Sequence, residues 1–380
     1  MRLSTSEKRG YLLNVCKRFH LFNNSLVFYT ATVLAFGVSF IGCFGHNRYT
    51  GVEYQGGIAN SVFVSNGDVY VAGSQLYQYW QNGFGSTPRQ PDATLWKNGV
   101  IQSQLVRNRS TSEANAVFVT GADVYVSGIE QIRTDTGGDY VLLYKNALLQ
   151  HINIPYGITP QVTSITVSGG DVYITGMEIS SKYENGNWKY YAAAVLWKNG
   201  TAQYLSDASY SAANSVCVSG DDVYVAGSEL GRAVLWKNGV AQYLNDSGTA
   251  KSVFIANGDV YVAGIVKVSD DKNEAALWKN GAVQYMTDTS RGATANSVYV
   301  SGNDVYIAGL VKISDDGIGK HEAVLWKNNV MQNLTNSASY FTTANSVFVS
   351  GGDVYVAGSE NDFPRLWKNG VEQVMQRRTK

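Results

Sequence analysis

The chain is 380 residues long, and its 30 basic side chains balance its 30 acidic ones. A charge so even, with no basic stripe along the chain, argues against nucleic acid as a partner. With three cysteines and four histidines in that length, the chain has neither a disulfide-stapled scaffold nor a Cys/His metal framework.

The first segment is basic, with Arg2, Lys8, Arg9, Lys17 and Arg18, and precedes an uncharged apolar run of sixteen residues from Leu26 to Ile41. That run is short for a membrane span, and a basic segment followed by an apolar run and a small residue is the order of a secretory leader. The run ends in "FIGC", whose Gly42-Cys43 resembles a bacterial lipobox, in which the cysteine is lipidated and becomes the new N-terminus. The resemblance implies a leader over residues 1–42, a lipid on Cys43, and attachment to a membrane of the bacterial cell envelope without a span. Ordinary cleavage and an uncleaved anchor are the alternatives. Removing residues 1–42 takes away five basic residues and one acidic residue, Glu7, which leaves a mildly acidic 25 against 29. Residues 43–57 then read as a tether.

From Ile58 onward the chain repeats itself. "ANSVFVSGGDVYVAG" at Ala344 to Gly358 stands almost unchanged at Ala59, Ala114, Ala213 and Ala295. Aligned on "DVY", seven copies begin at Asp68, Asp123, Asp171, Asp222, Asp259, Asp304 and Asp353, between 37 and 55 residues apart. Each copy carries a second block of the form "AVLWKNGVAQYL". "SVFVS" and "VYVAG" are rich in β-branched and aromatic residues and flank a tight turn, while "AVLWK" and "VAQYL" flank Asn-Gly, the strongest short hairpin signal. One copy is therefore a four-stranded antiparallel meander, with strands A, B, C and D.

Strand A lacks apolar–polar alternation: Val62, Phe63 and Val64 are all apolar, as are Val347, Phe348 and Val349. Both its faces are expected to be buried. Four-stranded sheets buried on both faces, at repeats of about 40 to 50 residues, predict an all-β, seven-bladed β-propeller of four-stranded antiparallel blades. It spans residues 58–375 and leaves 376–380 as a basic tail. The order "SVFVS…DVYVAGS…LWKNG" resembles WD-repeat and kelch-type blades, and also repeats of bacterial envelope lipoproteins of unassigned role. Lys follows the Trp and no Gly-His pair is present, so the resemblance implies architecture and no activity. "GVEQV" at Gly370 to Val374 is expected to be strand D of the last blade, with "GVEYQ" at Gly51 to Gln55 as tether or added edge strand.

Residues that recur in every copy point to structure. Each "DVY" aspartate should meet the lysine that ends strand C of its own blade, from Asp68 with Lys97 to Asp353 with Lys368, as a turn-locking pair. The strand C aromatics, Trp96, Tyr144, Trp197, Trp236, Trp278, Trp326 and Trp367, should pack between blades. Cys217 stands where other copies have Phe63, Phe118, Phe254 and Phe348, as a buried filler without a disulfide partner. Asn60, Asn115, Asn214, Asn296 and Asn345 precede strand A. They either line the channel mouth or, as the structural expectation, bond the backbone of their own D–A loops.

The search for chemistry returns no catalytic constellation, metal motif or cofactor signature: HExxH, CxxC, GxSxG and a P-loop are all absent. Ser269 to Glu274 and Ser314 to Glu322 lack the spacing of a calcium loop. Variation between copies concentrates in the B–C and D–A connections, which fall on one face of the disc. Two B–C connections are long and aromatic, the first with Tyr77, Tyr79, Trp80 and Phe84, the third with Tyr183, Trp188, Tyr190 and Tyr191. Variable aromatic loops on a rigid scaffold are where binding resides. The expectation is a non-enzymatic envelope propeller that binds a glycan or a peptide on this face. The alternative is a structural subunit of an envelope protein complex.

Overall fold

The computed structural model describes residues 26–33, 38–45, 49–81, 85–86, 90–105, 110–132, 139–152, 154–184, 186–269, 272–286, 292–313, 320–335 and 342–377; of these, 26–53, 79–81, 85–86, 103–104, 110, 132 and 151 are described as backbone. The chain divides into two compact units, one made of residues 1–55 and 77–90, the other of 56–76 and 91–379. In the first unit, Leu26–Val33 pairs antiparallel with Val38–Gly45, and Cys43 lies opposite Phe28. The apolar run thus occupies a hairpin in its described part, while the basic segment lies outside the described residues. Trp80 pairs with Ser86 through the backbone. Tyr77 is buried at 2% exposure, edge-on to Tyr54 at 6.0 Å.

The second unit is a ring of seven blades. Blade one has strands Tyr49–Ser65, Asp68–Gln81, Gln90–Lys97 and Val100–Gln104, the first two shared with the other unit. Blade two follows as Ser110–Thr120, Asp123–Ile132, Asp139–Lys145 and Leu148–Ile152, and blade three as Thr159–Ser168, Asp171–Glu184, Asn187–Lys198 and Thr201–Tyr204. Blades four to seven start at Ser211, Gly248, Ala293 and Thr343, and each runs A-B-C-D in strand order. Strand D of blade seven is Val371–Gln373, paired with Phe363–Lys368, so the C-terminal segment completes the last blade. Gly51 to Gln55 belong to the long strand A of blade one rather than to a tether.

Seven apolar clusters fill the gaps between neighbouring blades, each centred on one strand C aromatic. Trp96 packs with Tyr355, Ala357 and Leu366 of blade seven, which closes the circle. Tyr144 occupies the blade one–two gap and the other tryptophans the remaining five. The six strand C tryptophans are at most 2% exposed. The tail continues the closure. Gln376 donates its N–H to Gly99 O at 2.7 Å, its carbonyl accepts the Trp96 indole N–H at 2.9 Å, and its Oε1 accepts the Ile101 N–H at 2.9 Å. Gln376 is therefore part of the propeller and not of a free tail.

The "DVY" and "LWKN" blocks meet as expected, and with more partners. In every blade the lysine ending strand C lies 2.7–2.8 Å from the aspartate opening strand B. The next residue, an Asn at φ 49–51°, donates from Nδ2 to the same carboxylate at 2.7–2.8 Å. Its Oδ1 accepts the N–H of the "DVY" valine at 2.8–2.9 Å. Asn is selected here because it tolerates the left-handed conformation of a hairpin turn and ties the turn to strand B. The lysine ammonium also sits 5.1–5.4 Å from the ring centroid of the "DVY" tyrosine.

Strands A and B approach each other at the glycine of "VYVAG". A Cβ at Gly227 would lie 2.0 Å from Ala212 O and 2.6 Å from the Trp236 ring. Gly227→Ala is expected to lower unfolding free energy by about 3 kcal/mol in denaturant melts, an overpacking loss. Gly220→Ala, where an added Cβ meets nothing within 4 Å but φ is +59°, should lose only about 1 kcal/mol.

The lysine, and then the Asn, hold all seven aspartates below the usual carboxylate range. A carboxyl whose folded pKa is depressed contributes stability that is full above its unfolded value, about 3.9, and is lost as pH falls through the folded value. Melting temperature should therefore drop steadily below about pH 4, and a flat profile down to about pH 2 would contradict the clasp.

Candidate functional site

Strand A is innermost and pairs with strand B on one side, which leaves the N–H and C=O groups of its other edge without a sheet partner. The preceding blade supplies the partners. Asn60 Nδ2 donates to Ala114 O at 3.0 Å, Asn214 to Ala250 O at 2.8 Å, Asn296 to Ala344 O at 2.9 Å and Asn345 to Ala59 O at 3.0 Å. Thr163 Oγ1 does the same to Ala213 O at 2.8 Å. One residue further on, Ser61, Ser215, Ser252, Ser297 and Ser346 accept the N–H of a valine in the next blade at 3.1–3.3 Å. The asparagines thus bond the neighbouring blade, not their own D–A loops as expected. A β-bulge in strand A turns them there: the register skips Asn115, Thr163, Asn214, Lys251, Asn296 and Asn345, and a bulge re-aims the extra residue.

Two positions depart from this girdle. Asn115 Oδ1 is buried without a partner, and Ala116 after it has no hydroxyl to offer Ile165. Lys251 replaces Asn in blade five and donates to Asn296 Oδ1 at 3.1 Å; burial pulls its ammonium below the usual lysine range. Three residues deeper, Phe118, Phe63, Phe348, Tyr299 and Phe254 form an arc of rings with centroids 4.6–4.9 Å apart. Cys217 occupies the equivalent place in blade four, packed at the blade four–five core, where burial pushes its thiol up. It is a filler, as its position in the repeat suggested.

The long B–C connection of blade three is an arm and not a loop. Strands B and C continue to Glu184 opposite Asn187, with Gly186 at φ +82° in the turn. The signal was in the sequence, in the Asn-Gly of "YENGNW". Tyr183 faces Trp188 across the hairpin and Tyr190 faces Ser181, which puts all three aromatics on one face. Tyr183 and Trp188 are 61% exposed and Tyr190 59%, and the first two meet edge-on at 5.4 Å. The reverse face is charged: Glu184 pairs with Lys182 at 2.8 Å and Lys189 at 3.1 Å, and receives the Tyr191 hydroxyl at 3.5 Å. Exposed Tyr210 sits at the arm's base, where it bridges Ala192.

The first B–C connection gives a different result. Tyr77, expected to contact ligand, is buried instead because it packs on Tyr54. The Tyr79 and Trp80 side chains and all of Phe84 lie outside the described residues. A buried carboxylate that the sequence did not reveal is Glu229 in blade four. Burial works against its charge, but hydrogen bonds from Ser206 and Tyr243, with Arg232 at 3.3 Å, hold its carboxyl below the usual range. In blade three, Tyr204 donates to Glu178 at 2.7 Å, which pushes the phenol up to about 12. Among the described residues no group of three or more His, Cys, Asp or Glu is arranged to hold a metal ion.

By strand order, blade contacts and ring closure the chain is a seven-bladed β-propeller. No protein-family model matches it, and no curated protein matches it. It is similar to the β-propeller domain of the trilobed protease from Pyrococcus furiosus, at 10% identity over 86% of this chain and 97% of that one, with a TM-score of 0.47. It is also similar to the acylaminoacyl peptidase of Pyrococcus horikoshii, at 9% identity and a TM-score of 0.48, over 85% of this chain but 53% of that one. A third likeness is to the endosialidase of phage phi92, at 12% identity over 86% of this chain and 66% of that one, with a TM-score of 0.39. Similarity this distant carries nothing about activity, so function is argued from the site alone.

Proposed function

We propose that this chain is a non-enzymatic binding propeller that holds a glycan or a peptide against the arm of blade three. The supporting observation is the row of Tyr183, Trp188 and Tyr190, which share one face of the hairpin and are each more than half exposed. Large aromatic side chains left in water on a rigid hairpin are surface waiting for a partner. They present wide contact area at low entropic cost and can stack on sugar rings or cover peptide side chains. The edge-on contact of Tyr183 with Trp188 orders the pair before any ligand arrives, which lowers the ordering cost of binding. A glycan and peptide array probed with the protein identifies the class. Against the ligand so found, Trp188→Ala should weaken affinity at least about tenfold, a loss of roughly 1.4 kcal/mol, with melting unchanged because the side chain is exposed. Lower melting with unaltered affinity would make the arm a packing element.

The place of action we propose is the bacterial cell envelope, with residues 1–42 as leader and a lipid on Cys43. The support is the basic segment, the uncharged run and the "FIGC" ending, in the order that secretion and lipidation require. In a bacterial host, Cys43→Ser should abolish acyl labelling and release the protein from the membrane fraction. Labelling that persists in the variant would end this reading.

A further inference from the structure

The girdle at the inner edge is neutral in five blades, which cap their neighbour with Asn60, Thr163, Asn214, Asn296 and Asn345. Blades two and five break the pattern with groups of opposite character. Blade two presents the buried, unpartnered Oδ1 of Asn115 and, two residues before it, Glu113. Glu113 holds the place of Thr343 in blade seven, whose hydroxyl lies 3.2 Å from Asn296 Nδ2 and 3.0 Å from Asn345 Oδ1, on the rim of the girdle. Burial alone acts on the Glu113 carboxyl and pushes it up. Blade five presents Lys251, whose one hydrogen bond goes to Asn296 Oδ1 and on which burial alone acts as well. Among the described residues no opposing charge compensates either group.

An uncompensated, partly buried charge opposes stability. The other six blades show that the fold takes a neutral residue at the position of Lys251, and Thr249, Thr294 and Thr343 show the same for Glu113. Places where a sequence departs from its own structural rule are where function is expected. Blades two and five stand three apart in a ring of seven, so the two groups come from opposite sides of the channel mouth: acceptors on one side, an ammonium donor on the other.

We propose that the mouth of the central channel binds a short zwitterion, with its ammonium end at Glu113 and its carboxylate end at Lys251; a small peptide with free termini is the simplest example. Charge-assisted hydrogen bonds at both ends would satisfy the groups that the girdle leaves open. The site does not depend on the arm.

The test is calorimetric titration of the full chain with triglycine, N-acetyl-triglycine and triglycine amide. Triglycine should bind, and blocking either terminus should weaken it at least about tenfold, or roughly 1.4 kcal/mol. Lys251→Asn and Glu113→Thr each install a residue that other copies carry at that place. Each should weaken triglycine at least about tenfold while melting stays unchanged or rises. Should either melt early, Lys251→Gln or Glu113→Gln replaces it with the same expectation. Trp188→Ala should leave triglycine binding intact, which separates this site from the arm. No heat with triglycine at millimolar concentration, blocked peptides that bind as tightly, or charge-removing variants that bind like the parent would each overturn the proposal.

Discussion

Strand A of every blade has a bare edge facing the axis, and the ring depends on covering it. A buried backbone N–H or C=O without a partner costs about 1–3 kcal/mol, and each blade has at least one of each there. The repeat solves this with two adjacent side chains. An Asn on a bulge reaches the alanine carbonyl of the next blade, and the Ser after it accepts the next valine N–H. Five blades cap the one that follows them in this way, so six blades left open would expose an uncapped edge. The last cap, Asn345 to Ala59, is made only when the circle closes.

Packing and turn chemistry follow from that geometry. Blades held edge to edge at the axis splay outward, and the widening gap takes the largest side chain available, which explains a Trp at one place in strand C of six blades. At the rim, the Asp–Lys–Asn clasp fixes the C–D turn to strand B. Both devices bear on the conserved-looking half of each repeat and leave the B–C and D–A connections free to differ. The arm of blade three exploits that freedom without becoming flexible, because its strands continue the B–C ladder without interruption from Tyr173 opposite Lys198 to Glu184 opposite Asn187. The inner girdle varies within strand A itself, where Lys251 stands in place of the capping Asn.

Much of this was legible in the chain. The Asp–Lys partners follow from antiparallel register within one blade, and the shared position of the tryptophans required a contact common to all blades. An Asn side chain readily bonds its own loop, which makes that the local expectation for these asparagines, whereas their real partners lie 36 to 286 residues away. Tyr77 and Trp188 looked equivalent, each an aromatic in a long B–C connection. Burial separated them: one packs on Tyr54, the other stands on the open face of a hairpin.

By itself the sequence determined the number of blades, the four strands of each, the turn residues and the clasps, because those rest on interactions within about one repeat and on periodicity. Only the tertiary structure decided which blade caps which, which aromatics are buried, and that the strands A carrying Glu113 and Lys251 stand three blades apart in one ring. Those outcomes depend on ring closure, which brings together side chains that no local pattern relates.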